Sequence, residues 1–300
     1  MGKNGLVLVD KPKGLTSRKV VDRIMRCLRI RKAGHFGSLD PFATGLLCIG
    51  VGQGTKLLPF MQAHQKEYVA IIGFEMATDT DDITGEAIAR YPNVEVDIEQ
   101  ASTWLSDHMG WINQLPPEYC AQKYMGKPLY KLKRENKEVN PRPKQVHIER
   151  AEILAHDRDW IEVRIVCSRG TYIRSIARDL GASLEVGGYL RSLRRLKSEG
   201  FSVENAHTLE DIEAGRLSAE DMVIPLVQAL HIPKVRVTRT GEIGILEGRP
   251  IQVSWVIDDI DATEESYIAM MNENNQLLCV ARVQRKEGII GYIERGFTPF

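Results

Sequence analysis

Apolar positions at the start of the chain run unbroken through Leu6-Val7-Leu8-Val9, give way to Asp10-Lys11-Pro12-Lys13-Gly14, and resume at helical spacing in Val20, Val21, Ile24, Met25 and Leu28. That pattern predicts a short buried strand, a Pro/Gly turn and a helix, with Thr16 or Ser17 placed to accept a hydrogen bond from an orphan amide of the first turn. Further along, Ile161, Val163 and Ile165 alternate with Glu162 and Arg164, which predicts a strand over 160–166. Ser168-Arg169-Gly170 reads as a turn, and Ile173, Ile176, Ala177, Leu180 and Leu184 mark the buried stripe of a helix beyond it. Tyr172 and Arg174 would therefore project from a fixed strand-to-helix junction, a rigid mounting suited to chemistry. After about residue 229 the periodic segments shorten, with strands expected at 235–238, 267–271, 277–283 and 289–293, a short helix over 240–247 and a turn at Asn272-Glu273-Asn274-Asn275. The chain is thus expected to be α/β (α+β): a mixed-sheet catalytic domain over 1–228 and a small β-rich domain over 229–300.

Between the first helix and the next apolar run lies Gly34-His35-Phe36-Gly37-Ser38-Leu39-Asp40-Pro41-Phe42-Ala43-Thr44-Gly45, a loop that holds one carboxylate against a proline. Proline disfavours the helical region for the residue before it, so Asp40 is biased towards extended backbone, while Gly34, Gly37 and Gly45 allow sharp turns on either side. An isolated Asp-Pro is a surface turn; here its surroundings point to a presented, reactive carboxylate.

Charge adds a partner to this picture through its distribution, not its sum. The 40 basic residues are balanced by 40 acidic ones. Yet Lys3, Lys11, Lys13, Arg18, Lys19, Arg23, Arg26, Arg29, Arg31 and Lys32 face only Asp10 and Asp22 in the N-terminal stretch, an imbalance suited to phosphate contacts. A second basic concentration, Lys123, Lys127, Lys131, Lys133, Arg134, Lys137, Arg142 and Lys144, is interleaved with Tyr124 and Tyr130, which adds base stacking.

Other features narrow the class. Cys27, Cys48, Cys120, Cys167 and Cys279 are scattered and never spaced Cys-x-x-Cys, which argues against a disulfide framework and a zinc site and for buried thiols. No apolar run approaches the roughly 20 residues of a membrane span and no signal-peptide pattern opens the chain, so a cytoplasmic location is expected. Gly50-Val51-Gly52-Gln53-Gly54-Thr55-Lys56 fits neither the Walker nor the dinucleotide spacing and reads as a turn; Asp79, Asp81, Asp82 and Glu86 around Gly85 do not match an EF-hand.

Several ordered segments resemble the TruB family of tRNA pseudouridine synthases. They are the Asp10-Lys11-Pro12 turn, the 34–45 loop, Lys66-Glu67-Tyr68, Thr78-Asp79-Thr80-Asp81, Pro116-Pro117-Glu118-Tyr119-Cys120-Ala121 with Lys123, and Cys167-Ser168-Arg169-Gly170-Thr171-Tyr172-Ile173-Arg174. The resemblance implies isomerisation of uridine 55 in the tRNA T-loop, with base flipping and no metal or organic cofactor. It implies Asp40 as the catalytic carboxylate, acting as nucleophile at the base or at the sugar C1′ or by removing a ribose proton. Arg174 is then its charge partner, expected to keep the carboxyl ionised by holding its pKa down. Tyr68 stacks on the flipped base and is a candidate for proton transfer, Leu193 closes the other side of the pocket, His35 packs where the base had been, and Tyr172 and Lys11 join the substrate-binding set. The C-terminal placement resembles a PUA-like RNA-binding appendage. The T-arm of tRNA is the expected partner of a monomer that needs no obligatory protein partner and no membrane. A guide-dependent ribosomal RNA synthase and a non-catalytic tRNA-binding or folding factor are the alternatives.

Overall fold

The N-terminal apolar run forms strand β1 (Gly5–Lys11) in a computed structural model that describes residues 3–298 apart from 62–64, 121, 125, 136–138 and 140. Of the second basic segment, Lys137 lies outside the described residues, as do the side chains of Lys123, Tyr124, Tyr130, Lys131 and Arg134. Helix α1 (Ser17–Leu28) follows, and Thr16 caps it by accepting from the Lys19 amide at 3.2 Å. Val20, Val21, Ile24 and Leu28 are buried against β1 and Thr44–Val51, the stripe that the spacing predicts.

In chain order the next elements are β2 (Ala33–His35), β3 (Thr44–Val51), β4 (Gln65–Gly73), α2 (Ile98–Asp107), β5 (Gly110–Gln114), β6 (Lys144–Asp157), β7 (Trp160–Ser168), α3 (Ile173–Ser183), β8 (Tyr189–Ser198) and β9 (His207–Thr208). The strands run β9-β1-β3-β8-β4-β7-β6-β5 across a sheet of 11 strands, with β2 and two further short strands attached beside this path. Parallel pairing of β8 with β3 and of β9 with β1 makes the sheet mixed. Alternation then divides the faces. Tyr68, Ala70 and Ile72 of β4 share a face with Ile161, Val163 and Ile165 of β7, under α2 and α3, in one apolar core. The opposite face carries Glu67, Glu152, Arg164 and Lys197, joined by ion pairs.

The C-terminal strands form a separate sheet of five in the order Lys234–Arg236, Tyr267–Met271, Leu277–Lys286, Ile289–Gly296, Ile251–Gln252, with the expected helix at Arg239–Leu246. It does not hang free. Ala229, Leu230, Ala269, Val280 and Phe297 share a core with Leu6, Leu8, Leu46 and Phe60, and Tyr267 meets Phe60 edge-on at 5.1 Å. Among the cysteines, Cys27 is exposed and only the other four are buried thiols, because Cys27 falls outside the apolar stripe of α1. The 52–56 stretch is a single 3-10 helix.

Candidate active site

The Asp40 loop spans the gap between β2 and β3 and is braced from both sides. On one side the Pro41 carbonyl accepts from the Gly14 amide at 2.7 Å and from Lys11 Nζ at 3.3 Å. Ser17 Oγ donates to the Leu39 carbonyl at 3.0 Å and accepts from the Leu39 amide at 2.8 Å. On the other side Arg195, fully buried, donates to the carbonyls of Leu46 at 2.7 Å, Gly37 at 3.1 Å and Ser38 at 3.3 Å. Gly37 and Gly45 take φ of 112° and 100°, where only glycine is unstrained. Gly34 does not turn: it is a residue of β2 without positive φ, paired with Gly50, so the loop bends at two glycines instead of three.

Asp40 meets Arg174 side-on, Oδ2 at 3.0 Å from Nε and Oδ1 at 3.3 Å from Nη2. Arg174 sits near the start of α3 and is 5% exposed, so its remaining donors need partners: Thr80 O at 3.1 Å, Tyr119 O at 3.1 Å and the Asp82 carboxylate at 3.4 Å. Asp82 in turn accepts from Thr80 Oγ1, Thr84 Oγ1 and the Thr84 amide at 3.0, 2.6 and 2.9 Å. Arg178, one turn on, pairs with Asp81 at 3.0 Å. The acidic 78–86 segment is therefore the frame that fixes Arg174. The sign expected for Asp40 is reversed: burial pushes its carboxyl above the ordinary value, Arg174 and Lys11 oppose this, and Asp82 adds to it.

Asp40, Tyr68, Arg174, His35, Tyr172 and Leu193 all line one cleft of about 840 Å³. Lys11 does not. Its ammonium is buried within the N-terminal turn, where it also donates to Pro12 O at 2.9 Å and Leu15 O at 2.8 Å, and burial lowers its pKa to about 8. It acts on the loop, not on the cleft. Tyr68 and Leu193 face the same way from adjacent strands, since Arg195 pairs with Tyr68 and Leu193 with Ala70. Both line the cleft from this one face of the sheet. Burial raises the Tyr68 phenol to about 12, so it is neutral at physiological pH. His35 is held on the neutral side by burial and by the charges of Arg195, Arg18 and Lys66. The backbone of Tyr172 is pinned by the Gln114 amide, which accepts from Tyr172 N at 2.7 Å and donates to Tyr172 O at 3.1 Å.

Sequence reasoning missed Ser17 as a tether, Arg195 as a brace, Gln114 as a clamp and Lys66 and Arg169 as lining residues, whereas Lys144 of the second basic segment lines the cleft. Gln114 did carry a signal, a polar side chain on the inward phase of an alternating strand. One cation of the N-terminal basic excess is neutralised by a residue distant in sequence, Arg23 by Glu213 at 3.2 Å, whereas Asp10, one of the two acids of that stretch, is taken up by Arg194 at 2.7 Å.

A family model described as TruB family pseudouridylate synthase (N terminal domain) matches residues 25–173, and one described as tRNA pseudouridylate synthase B C-terminal domain matches residues 174–230. The tRNA pseudouridine synthase B of Syntrophotalea carbinolica is 36% identical over 278 residues, covering 91% of this chain and 90% of that protein. The protein of the same name from Francisella philomiragia is 39% identical over 232 residues, 77% of each chain. Among solved structures, an H/ACA RNP bound to a substrate RNA containing 2′-deoxyuridine gives a TM-score of 0.74 at 22% identity, covering 99% of this chain and 86% of that one, a likeness of fold.

Proposed function

Because the chain belongs to the TruB family of pseudouridine synthases, we propose that its cleft isomerises uridine 55 of the tRNA T-loop to pseudouridine, with Asp40 as the reacting carboxylate. The observation that carries the residue assignment is the two-contact pairing of Asp40 with a buried arginine at the floor of a basic-rimmed cleft. The uracil must leave its stack, at a cost of a few kcal/mol, before it can reach that carboxylate. The apolar floor of Tyr68 and Leu193 receives it and offsets part of this cost.

Within the site, Arg174 aims both oxygens of Asp40 and supplies the positive field that lets a desolvated carboxylate ionise. Asp40 then attacks the base or C1′, or takes a ribose proton, while the N-glycosidic bond breaks; uracil turns in the cleft and rejoins the same ribose through C5, C5 gives up its proton and N1 gains one, and Asp40 is released by return of the bond or proton it took. Tyr68, neutral at working pH, acts as a stacking surface and a proton donor rather than a base. His35 fills the place of the extruded base and Tyr172 borders the substrate, whereas Lys11 serves the loop frame. The β-rich unit from residue 229 extends the RNA surface as a PUA-like domain, and the enzyme works as a cytoplasmic monomer without a guide. No helix among the described residues is long and apolar enough to cross a membrane.

The test is incubation of the purified chain with an unmodified T-arm stem-loop, no guide RNA or protein added, followed by chemical mapping of pseudouridine. Product at position 55, lost in Asp40→Ala with stem-loop binding retained, is the expected result. Absence of product from the wild type overturns the stand-alone reading, and turnover by Asp40→Ala overturns the assignment of the carboxylate.

A further inference from the structure

Lys66 is a buried cation that the chemistry above does not use. It lies two residues before Tyr68 on the cleft face of β4 and is 8% exposed. Its Nζ stands 3.8 Å from Glu199 Oε1, beyond hydrogen-bond reach, and makes no hydrogen bond to any described residue. The ammonium packs against the Cα side of Gly37, so closely that a β-carbon there would lie 2.4 Å away. Glu199 is fully buried and does not line the cleft, so it holds Lys66 from behind. The donors of Lys66 are left facing the cleft.

Their surroundings define what they would take. Arg18, Arg169 and His35 line the cleft with Lys66; Lys66 and Arg18 both bear on His35, and Arg169 bears on Lys66. The charges acting on Asp40 are those of Arg174, Asp82 and Lys11, a different set. Cations gathered away from the reacting carboxylate suit a singly charged anion that stays intact, and an RNA backbone offers one at each nucleotide. We propose that Lys66, with Arg18 and Arg169, forms a phosphodiester subsite for the backbone adjoining the target uridine, positioned through Glu199. It rests on the reading of the cleft as an RNA site.

Burial, Arg195 and Arg169 lower the Lys66 pKa to about 8 against the opposing influence of Glu199 and Cys48. Phosphate at the subsite would therefore be held less tightly as pH rises through that value. The test is the affinity of the full chain for an unmodified T-arm stem-loop over a salt series and between pH 7 and 8.5, with turnover recorded in parallel. Lys66→Met is expected to lose about fivefold to tenfold in affinity at 0.1 M salt and to reduce the slope of log K against log[salt] by about 0.7 to 1, with KM rising more than kcat falls. Lys66→Arg, whose charge does not titrate in this range, is expected to keep the slope and abolish the pH dependence of the wild type. A wild type that turns over, paired with a Lys66→Met of unchanged slope, overturns the subsite alone. Should Lys66→Met not fold, unchanged salt slopes in both Arg18→Gln and Arg169→Gln overturn it equally. A wild type that neither binds nor modifies the stem-loop removes the RNA reading and the subsite with it.

Discussion

Ser17→Ala isolates the contribution of one hydroxyl to the geometry of the catalytic loop. Ser17 is 2% exposed, and its Oγ is at once donor to the carbonyl and acceptor from the amide of Leu39, the residue before Asp40. Alanine leaves both backbone groups buried without that partner. Each such group costs about 1 to 3 kcal/mol, and the gain in helix propensity returns about 0.5 kcal/mol. A net loss of about 1.5 to 5.5 kcal/mol follows, which at about 2 to 4 °C per kcal/mol for a chain of this size lowers Tm by roughly 3 to 22 °C. The kinetic consequence differs in kind. Freed at Leu39, the Asp40 carboxylate drifts relative to Arg174, and misplacement by about 1 Å costs about 100-fold in rate. Single-turnover pseudouridylation of a saturating stem-loop should fall by about 10- to 100-fold while the Kd for RNA is unchanged, because the cleft cations are untouched. A Tm within 1 °C of wild type would refute the hydrogen-bond argument. A full loss of stability with an unaltered single-turnover rate would show that the tether serves the fold but not the chemistry.

Asp40→Asn should abolish product and raise Tm at pH 7: burial holds the folded carboxyl above its unfolded value, so its stabilising contribution is present below the unfolded pKa and is lost as pH rises through the folded one. The Tm difference between variant and wild type should therefore shrink towards pH 4 and below, as read by thermal melts across pH; a difference independent of pH would count against a raised carboxyl. Lys11→Met should lower Tm, since it strips a donor from three carbonyls, but leave the salt dependence of RNA affinity unchanged; a shallower salt slope would restore Lys11 to the RNA surface. Gly45→Ala should be among the most destabilising changes in the loop, its β-carbon falling 2.3 Å from the Arg195 carbonyl at φ of 100°, whereas Gly34→Ala, with open space and ordinary φ, should stay within about 0.5 kcal/mol by chemical denaturation.

The parts of this fold that were legible in the sequence are those governed by local periodicity. The alternation of residues 161–165 and the helical stripe from Ile173 reappear in Trp160–Ser168 and Ile173–Ser183, and even the C-terminal Tyr267–Met271 strand begins and ends where the apolar run does. Long-range partners were not legible. Arg195 follows Arg194 in sequence, yet Arg194 faces out towards Asp10 and Arg195 is wholly buried, because strand alternation sends neighbours to opposite faces and only the register of β8 against β3 and β4 decides which goes inward. Lys11 misled for a related reason. A lysine in a Pro/Gly turn is ordinarily solvated, and nothing local reveals that the returning loop will place the Pro41 carbonyl over it.

The zero net charge of the chain conceals an uneven placement of charge set by the same division of faces. Outward-facing cations of the catalytic sheet are matched in place: Arg164 and Lys197 by Glu67, Arg191 by Glu75 and Asp159, and Arg194 by Asp10. In the cleft Asp40 is engaged by Arg174, which Asp82 holds from behind, while Arg18, Lys66, Lys144 and Arg169 line the same cavity. A polyanion entering the cleft meets several cations to one carboxylate that is itself paired, whereas the reverse side of the sheet presents paired charges with little net field. The total charge is thus a poor guide to the partner, and its segregation by strand alternation is a good one. Neutralising Arg169 should consequently reduce RNA affinity in a salt-dependent way, while neutralising Arg164 on the opposite face should not; equal salt slopes for the two variants would show that segregation of charge does not direct binding.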